Sequence, residues 1–141
     1  MYIDKILLSS ILILTINNNL FASLNGKDIF VEKCSSCHRL EFPDTRSKLK
    51  ASPVPGMMYQ LNKNIYSDEK LITFIKDFVI NPTQEKIVYD RTRKFGPMSS
   101  LKGKITEEEL DAVANWMVDN VYMTRKQFKA AKARMKRSSS K

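Results

Sequence analysis

Cys34-Ser35-Ser36-Cys37-His38 decides how this chain is read. It holds both cysteines and the single histidine of a chain of 141 residues. A structural disulfide closing so tight a loop would contribute little. A C-x-x-C redox dithiol belongs in a thioredoxin-like βαβ setting, and no strand-like alternation is present. A structural zinc ion needs four ligands, and the chain offers no further cysteine or histidine.

The remaining reading is the C-x-x-C-H signature for covalent attachment of a c-type haem. Two thiols three residues apart on a helical turn can each add to one vinyl group of the same porphyrin. The next residue then lies under the iron, where an imidazole binds as the proximal ligand. Cys34 and Cys37 are therefore the expected attachment points of one haem c per chain, and His38 the expected axial ligand.

The chain is short enough for one domain. Ile6 to Ile16 is an apolar run too short to span a bilayer, which needs roughly 20 apolar residues. It has the length of a signal-peptide core, with cleavage expected after Ala22 and export to the periplasm as the consequence. An uncleaved membrane anchor is the alternative. The net charge of +9 is unevenly placed. From Thr124 onward lie Arg125, Lys126, Lys129, Lys132, Arg134, Lys136, Arg137 and Lys141, with no acidic residue among them. The rest of the chain is close to neutral, so the basicity belongs to a tail, which argues against a nucleic-acid-binding domain. The expected organisation is a signal peptide over 1–22, a domain over 23–122 and a basic tail over 123–141.

Apolar spacing is helical wherever it is clear, which predicts an all-α fold. A first helix is expected over Gly26 to Cys37, with Asn25 as N-cap. A second begins at Ser67, places Leu71, Phe74, Ile75, Phe78 and Val79 on one face, and stops at Asn81-Pro82. A short piece is expected over Thr83 to Tyr89. The last core helix opens on the capping box Thr106/Glu109, and Leu110, Val113, Ala114, Met117 and Val121 form its stripe, with Trp116 beside it. Pro43, Pro53, Pro55 and Gly56 mark a loop between the first two helices, and Lys94 to Lys104 marks another. The tail can form a basic helix around Phe128, Ala131 and Met135, and Ser138-Ser139-Ser140 is expected to be disordered.

The chain resembles the class I cytochromes c. Gly26, Phe30 and Cys34 reproduce the family's four-residue intervals before the attachment motif, and Trp116-Met117 occupies the place of the aromatic residue on its C-terminal helix. The likeness runs over about residues 24 to 122. It implies a helical domain wrapped around one covalently bound haem, with a methionine near the C-terminus as the distal ligand. Met98, beside Gly96 and Pro97 and ahead of the last core helix, is the expected ligand; Met57 and Met58 are its competitors. The family also implies a proline carbonyl accepting the proximal imidazole N–H, from Pro53 or Pro55. Tyr59 or Tyr66 are candidates to bond a haem propionate.

His38 is the only histidine, so bis-histidine ligation within one chain is impossible. A six-coordinate His/Met haem points to an electron shuttle between redox protein partners rather than to an enzyme. The alternatives are the haem subunit of an oxidoreductase complex and a five-coordinate haem that binds a small ligand. The basic tail is either a solvated extension or a surface that docks onto an acidic partner or an anionic membrane.

Overall fold

The structure is a computed structural model that describes residues 23–43, 49–89 and 92–138. The expected export segment, Ser139 and Ser140 lie outside the described residues. The described residues form six α-helices and no strands: α1 Gly26–Lys33, α2 Val54–Asn64, α3 Asp68–Ile80, α4 Thr92–Phe95, α5 Glu107–Asn120 and α6 Arg125–Ser138, with a 3-10 turn at Gln84–Lys86. The all-α expectation holds.

Local chemistry explains where the helices begin. The Asn25 side chain accepts from the backbone N–H groups of Lys27 and Asp28, satisfying donors that the first turn of α1 leaves unpaired. Ser67 caps α3 in the same way, and Asn81, kept out of helical geometry by Pro82, ends it. At α5 the capping box is complete. Glu109 N–H donates to Thr106 Oγ1 at 3.2 Å, and Thr106 N–H donates to Glu109 Oε2 at 2.9 Å. Thr124 and Gln127 repeat that reciprocal pair ahead of α6.

The frame is the packing of α1 and α3 against α5. Phe30, 1 % exposed, meets Trp116 with ring centroids 5.7 Å apart. Ile29, Leu71, Ile75, Leu110, Val113, Ala114 and Met117 complete the core between these helices. The approach is close at Gly26: a Cβ built there would fall 2.2 Å from the Ala112 carbonyl oxygen and 2.4 Å from Trp116 Cβ. Only a residue without a side chain lets the two backbones come this near. Lys33, at the end of α1, bridges to Glu109 at 3.4 Å, so the carboxylate that caps α5 also ties it to α1.

Several expectations are corrected. The stretch read as a breaker-rich loop contains α2. Pro53 is its N-cap and Pro55 lies in its first turn, where an absent N–H costs nothing. Its Val54, Met58 and Leu61 join the core. α1 ends at Lys33 rather than Cys37, and only a 3-10 turn occupies the Thr83–Tyr89 stretch. α4 was not expected at all. The tail does form the helix around Phe128, Ala131 and Met135, and it continues through Ser138. It lies on α2, where the Phe128 ring stacks on Tyr59 at 4.4 Å and approaches Phe42 edge-on. Ala131 and Met135 are 1 % and 6 % exposed.

Gly26→Ala should lower unfolding free energy by about 3 kcal/mol in a denaturant titration, because the methyl group forces α1 off α5. Phe128→Ala should cost about 2 kcal/mol, less than a fully buried phenylalanine because the ring is half-buried, with loss of helical circular dichroism from α6.

Candidate functional site

The end of α1 turns directly into the cysteine pair. Cys34 is the C-cap; its N–H and that of Ser35 both donate to the Phe30 carbonyl, at 2.9 and 3.0 Å. The N–H groups of Cys37 and His38 then donate to the Cys34 carbonyl, at 3.2 and 2.9 Å. Five consecutive residues are thus wound into tight turns at the tip of a helix whose position is set by α5. Both thiols are free; Cys34 is half-buried against the core and Cys37 is exposed. Burial pushes the Cys34 thiol up from its ordinary pKa, against the opposing pull of the Lys33 charge.

His38 is fixed from the other side of the loop. Its Nδ1 lies 3.0 Å from the Ser52 carbonyl oxygen. A carbonyl only accepts, so Nδ1 carries the proton and Nε2 presents a lone pair. Burial holds the imidazole pKa below its usual value, and the bond to Ser52 pulls the other way. A second bond, Val54 N–H to the Arg39 carbonyl at 2.8 Å, clamps the same two segments together.

The acceptor is therefore neither Pro53 nor Pro55. The Pro53 carbonyl is already used by Met57 N–H, 3.1 Å away, as the first bond of α2, and Pro55 lies inside the helix. The Ser52 carbonyl sits one residue outside the helix, with no intrahelical donor to claim it. Pro53 restricts Ser52 to extended backbone, which aims that oxygen at the imidazole.

The methionines separate by burial. Met58, 0 % exposed, belongs to the core, as does Met117. Met135 is buried on the covered face of α6, and Met57 is half-buried beside the core. Met98 is half-buried on the segment that follows α4. Gly96, at φ +75, ends α4 in the left-handed region that glycine tolerates, and Pro97 follows. On the far side, the Ser100 hydroxyl donates to the Ile80 carbonyl and Leu101 N–H donates to the Val79 carbonyl at 3.0 Å. The Met98 segment is thus pinned to the end of α3. Among the described residues no hydrogen bond links it directly to His38.

Of the tyrosines considered, Tyr59 is engaged with Phe128 and Tyr66 is 91 % exposed. A cleft bordered by Ser52, Pro53, Met57 and Phe95 opens beside the carbonyl that holds His38. Cys34, Cys37, His38 and Met98 are not among the described residues lining it.

The family model for cytochrome c matches residues 23–120. The chain belongs to the cytochrome c family. This cytochrome is 28% identical over 134 residues to an uncharacterised protein of Aquifex aeolicus (strain VF5), an alignment covering 82% of this chain and 87% of that one. No solved structure matches it significantly. Family membership makes it a haem-containing electron-transfer protein, with haem c as the cofactor and redox proteins as partners. Members are typically electron carriers rather than enzymes and are often exported. Among the described residues no helix is long and apolar enough to cross a membrane. The donor set of this cytochrome fits its cofactor: two thiols outside any disulfide on one turn, followed at once by an imidazole whose Nδ1 is engaged and whose Nε2, among the described residues, is not.

Proposed function

We propose that this cytochrome is an exported, monohaem electron shuttle. In this reading Cys34 and Cys37 attach one haem c covalently, His38 Nε2 is the proximal ligand, Met98 is the distal ligand, and residues 1–22 are a signal peptide directing the chain to the periplasm. The observation that carries the reading is the pairing of the two-thiol turn with the His38–Ser52 bond. The haem iron, once bound, takes up and releases single electrons; the protein's residues determine how readily it does so.

The two cysteines keep the cofactor attached in both oxidation states. The Ser52 carbonyl fixes the imidazole plane and raises the basicity of Nε2. Met98 is favoured over its competitors by its setting. Met58 is spent on the core and Met57 sits on the second turn of a helix packed against it, whereas the Met98 segment follows the left-handed Gly96 and is bonded at its far end to the end of α3. A thioether from that loop raises the reduction potential relative to harder ligands and closes the sixth position to oxygen chemistry. Ligands braced by bonded backbone move little between oxidation states, which suits outer-sphere transfer.

The ferric holoprotein should show the weak long-wavelength charge-transfer band of methionine–iron ligation. Met98→Ala should abolish it, while Met57→Ala should keep it; a band unchanged in Met98→Ala removes the assignment. The pyridine haemochrome of the unmodified protein should report two thioether bonds, and pigment extractable into acidic organic solvent would rule out covalent attachment. Because the bond to His38 comes from backbone, Ser52→Ala should leave the reduction potential unchanged. Pro53→Gly frees that carbonyl to wander, weakens electron donation by the imidazole to the ferric iron, and should raise the potential in a redox titration.

A further inference from the structure

Between α2 and α6 runs a groove of which only the α2 wall lies in the matched family region, since α6 begins beyond residue 120. Its walls carry Lys63, from the last turn of α2, and Arg125, Lys129 and Lys132, from α6; Tyr59 and Phe128, stacked on one another, form its base. The i, i+4, i+7 spacing puts the three α6 cations in one row along the helix. Among the described residues none of the four is paired with a carboxylate; the ion pairs are made by Lys33, Lys76 and Lys86. Lys132 rests 5.5 Å over the Phe128 ring, which orients its ammonium without neutralising it. Like charges gathered round one concavity focus positive potential into it.

Two features define the occupant. First, the apolar face of α6 is already used. Phe128 is stacked on Tyr59, and Ala131 and Met135 are buried. A basic amphipathic helix that lies in a bilayer needs that face free. Second, the α6 row extends about 10 Å, at 1.5 Å per residue over seven residues. That is longer than one small anion and matches about three residues of extended chain. An aromatic base suits the methylene groups of glutamate side chains as their carboxylates reach the rim.

We propose that the α2–α6 groove binds an acidic polypeptide segment, with its carboxylates paired to Lys63, Arg125, Lys129 and Lys132. Assigning that segment to an electron donor or acceptor rests on the shuttle reading above; the binding itself does not. α6 is then a docking element appended to the electron-transfer domain, and it brings the partner to the outer face of the helix that begins at the Ser52–Pro53 anchor.

The test is calorimetric titration of the haem-loaded protein with a short oligoglutamate peptide, at low and at near-physiological salt. Arg125→Glu combined with Lys129→Glu should weaken binding by about tenfold or more. Lys126→Glu combined with Arg134→Glu changes net charge equally but touches cations that do not line the groove, and should change affinity less than about threefold. Circular dichroism and the unfolding midpoint of each variant check that α6 remains docked; if the groove variant is unfolded, Lys63→Glu, on α2, against Lys126→Glu alone makes the charge-matched comparison. Equal weakening by both double variants would overturn the site in favour of a diffuse charge field. So would absence of binding by the unmodified protein, tripolyphosphate binding as tightly as the peptide, or displacement of the peptide by phosphatidylglycerol vesicles with the same variant pattern. None of these measurements transfers an electron, so their failure leaves the shuttle reading intact, and failure of the Met98 spectral test leaves the groove intact.

Discussion

At the crossing of α1 and α5, a glycine with no side chain rests against the Ala112 carbonyl and the Trp116 Cβ, with the Phe30 ring closing over the contact. That approach sets how α1 sits on α5. α5 provides the surface on which α3 also packs, and the C-terminal ends of α1 and α3 carry the two segments from which iron ligands are expected. The turn holding Cys34, Cys37 and His38 leaves α1 directly. The segment holding Met98 is bonded to the last carbonyls of α3. Both segments are thus referred to the same helix, α5, through its separate packing with α1 and with α3. Glu109 strengthens the link, because the same carboxylate caps α5 and receives Lys33.

The parts of this arrangement that were legible in the sequence are those written in short-range chemistry. The Cys34–His38 motif, the Asn25 cap, the helix start at Ser67, the Thr106/Glu109 box and the Asn81-Pro82 stop each need only a few neighbouring residues, and the structure bears out each of these helix ends. α2 was missed because Pro53, Pro55 and Gly56 read as breakers when their position relative to the helix start is unknown. At the N-cap and first turn the prolines are compatible with a helix, and Gly56 makes room for Phe42 and Phe128. The Ser52 acceptor was missed for a different reason. It depends on which carbonyl the first turn of α2 leaves unused, a question that does not arise until α2 is recognised. The Thr124/Gln127 box was an available signal for the start of α6 that composition alone obscured.

The tail illustrates how charge and packing divide one helix. Eight unopposed basic residues suggest a solvated extension, yet the Phe128, Ala131 and Met135 side is covered by the body of the protein. What remains outside is a polar surface with a defined orientation, because docking on Tyr59 removes the rotational freedom that a loose tail would retain. A charge row on a fixed helix can be complementary to something; the same charges on a mobile chain only raise local potential.

The α1–α5 crossing also sets an order of events. An isolated helix as short as α1, eight residues long, is marginal in water. Its stabilising partner lies near the opposite end of the domain, so the N-terminal helix cannot become persistent until almost the whole polypeptide is available. Through that interval Cys34 and Cys37 sit on backbone that nothing yet holds in place. The long reach in sequence between Gly26 and Ala112 thus acts as a timer, leaving the Cys34–His38 turn unsupported until α5 is in place.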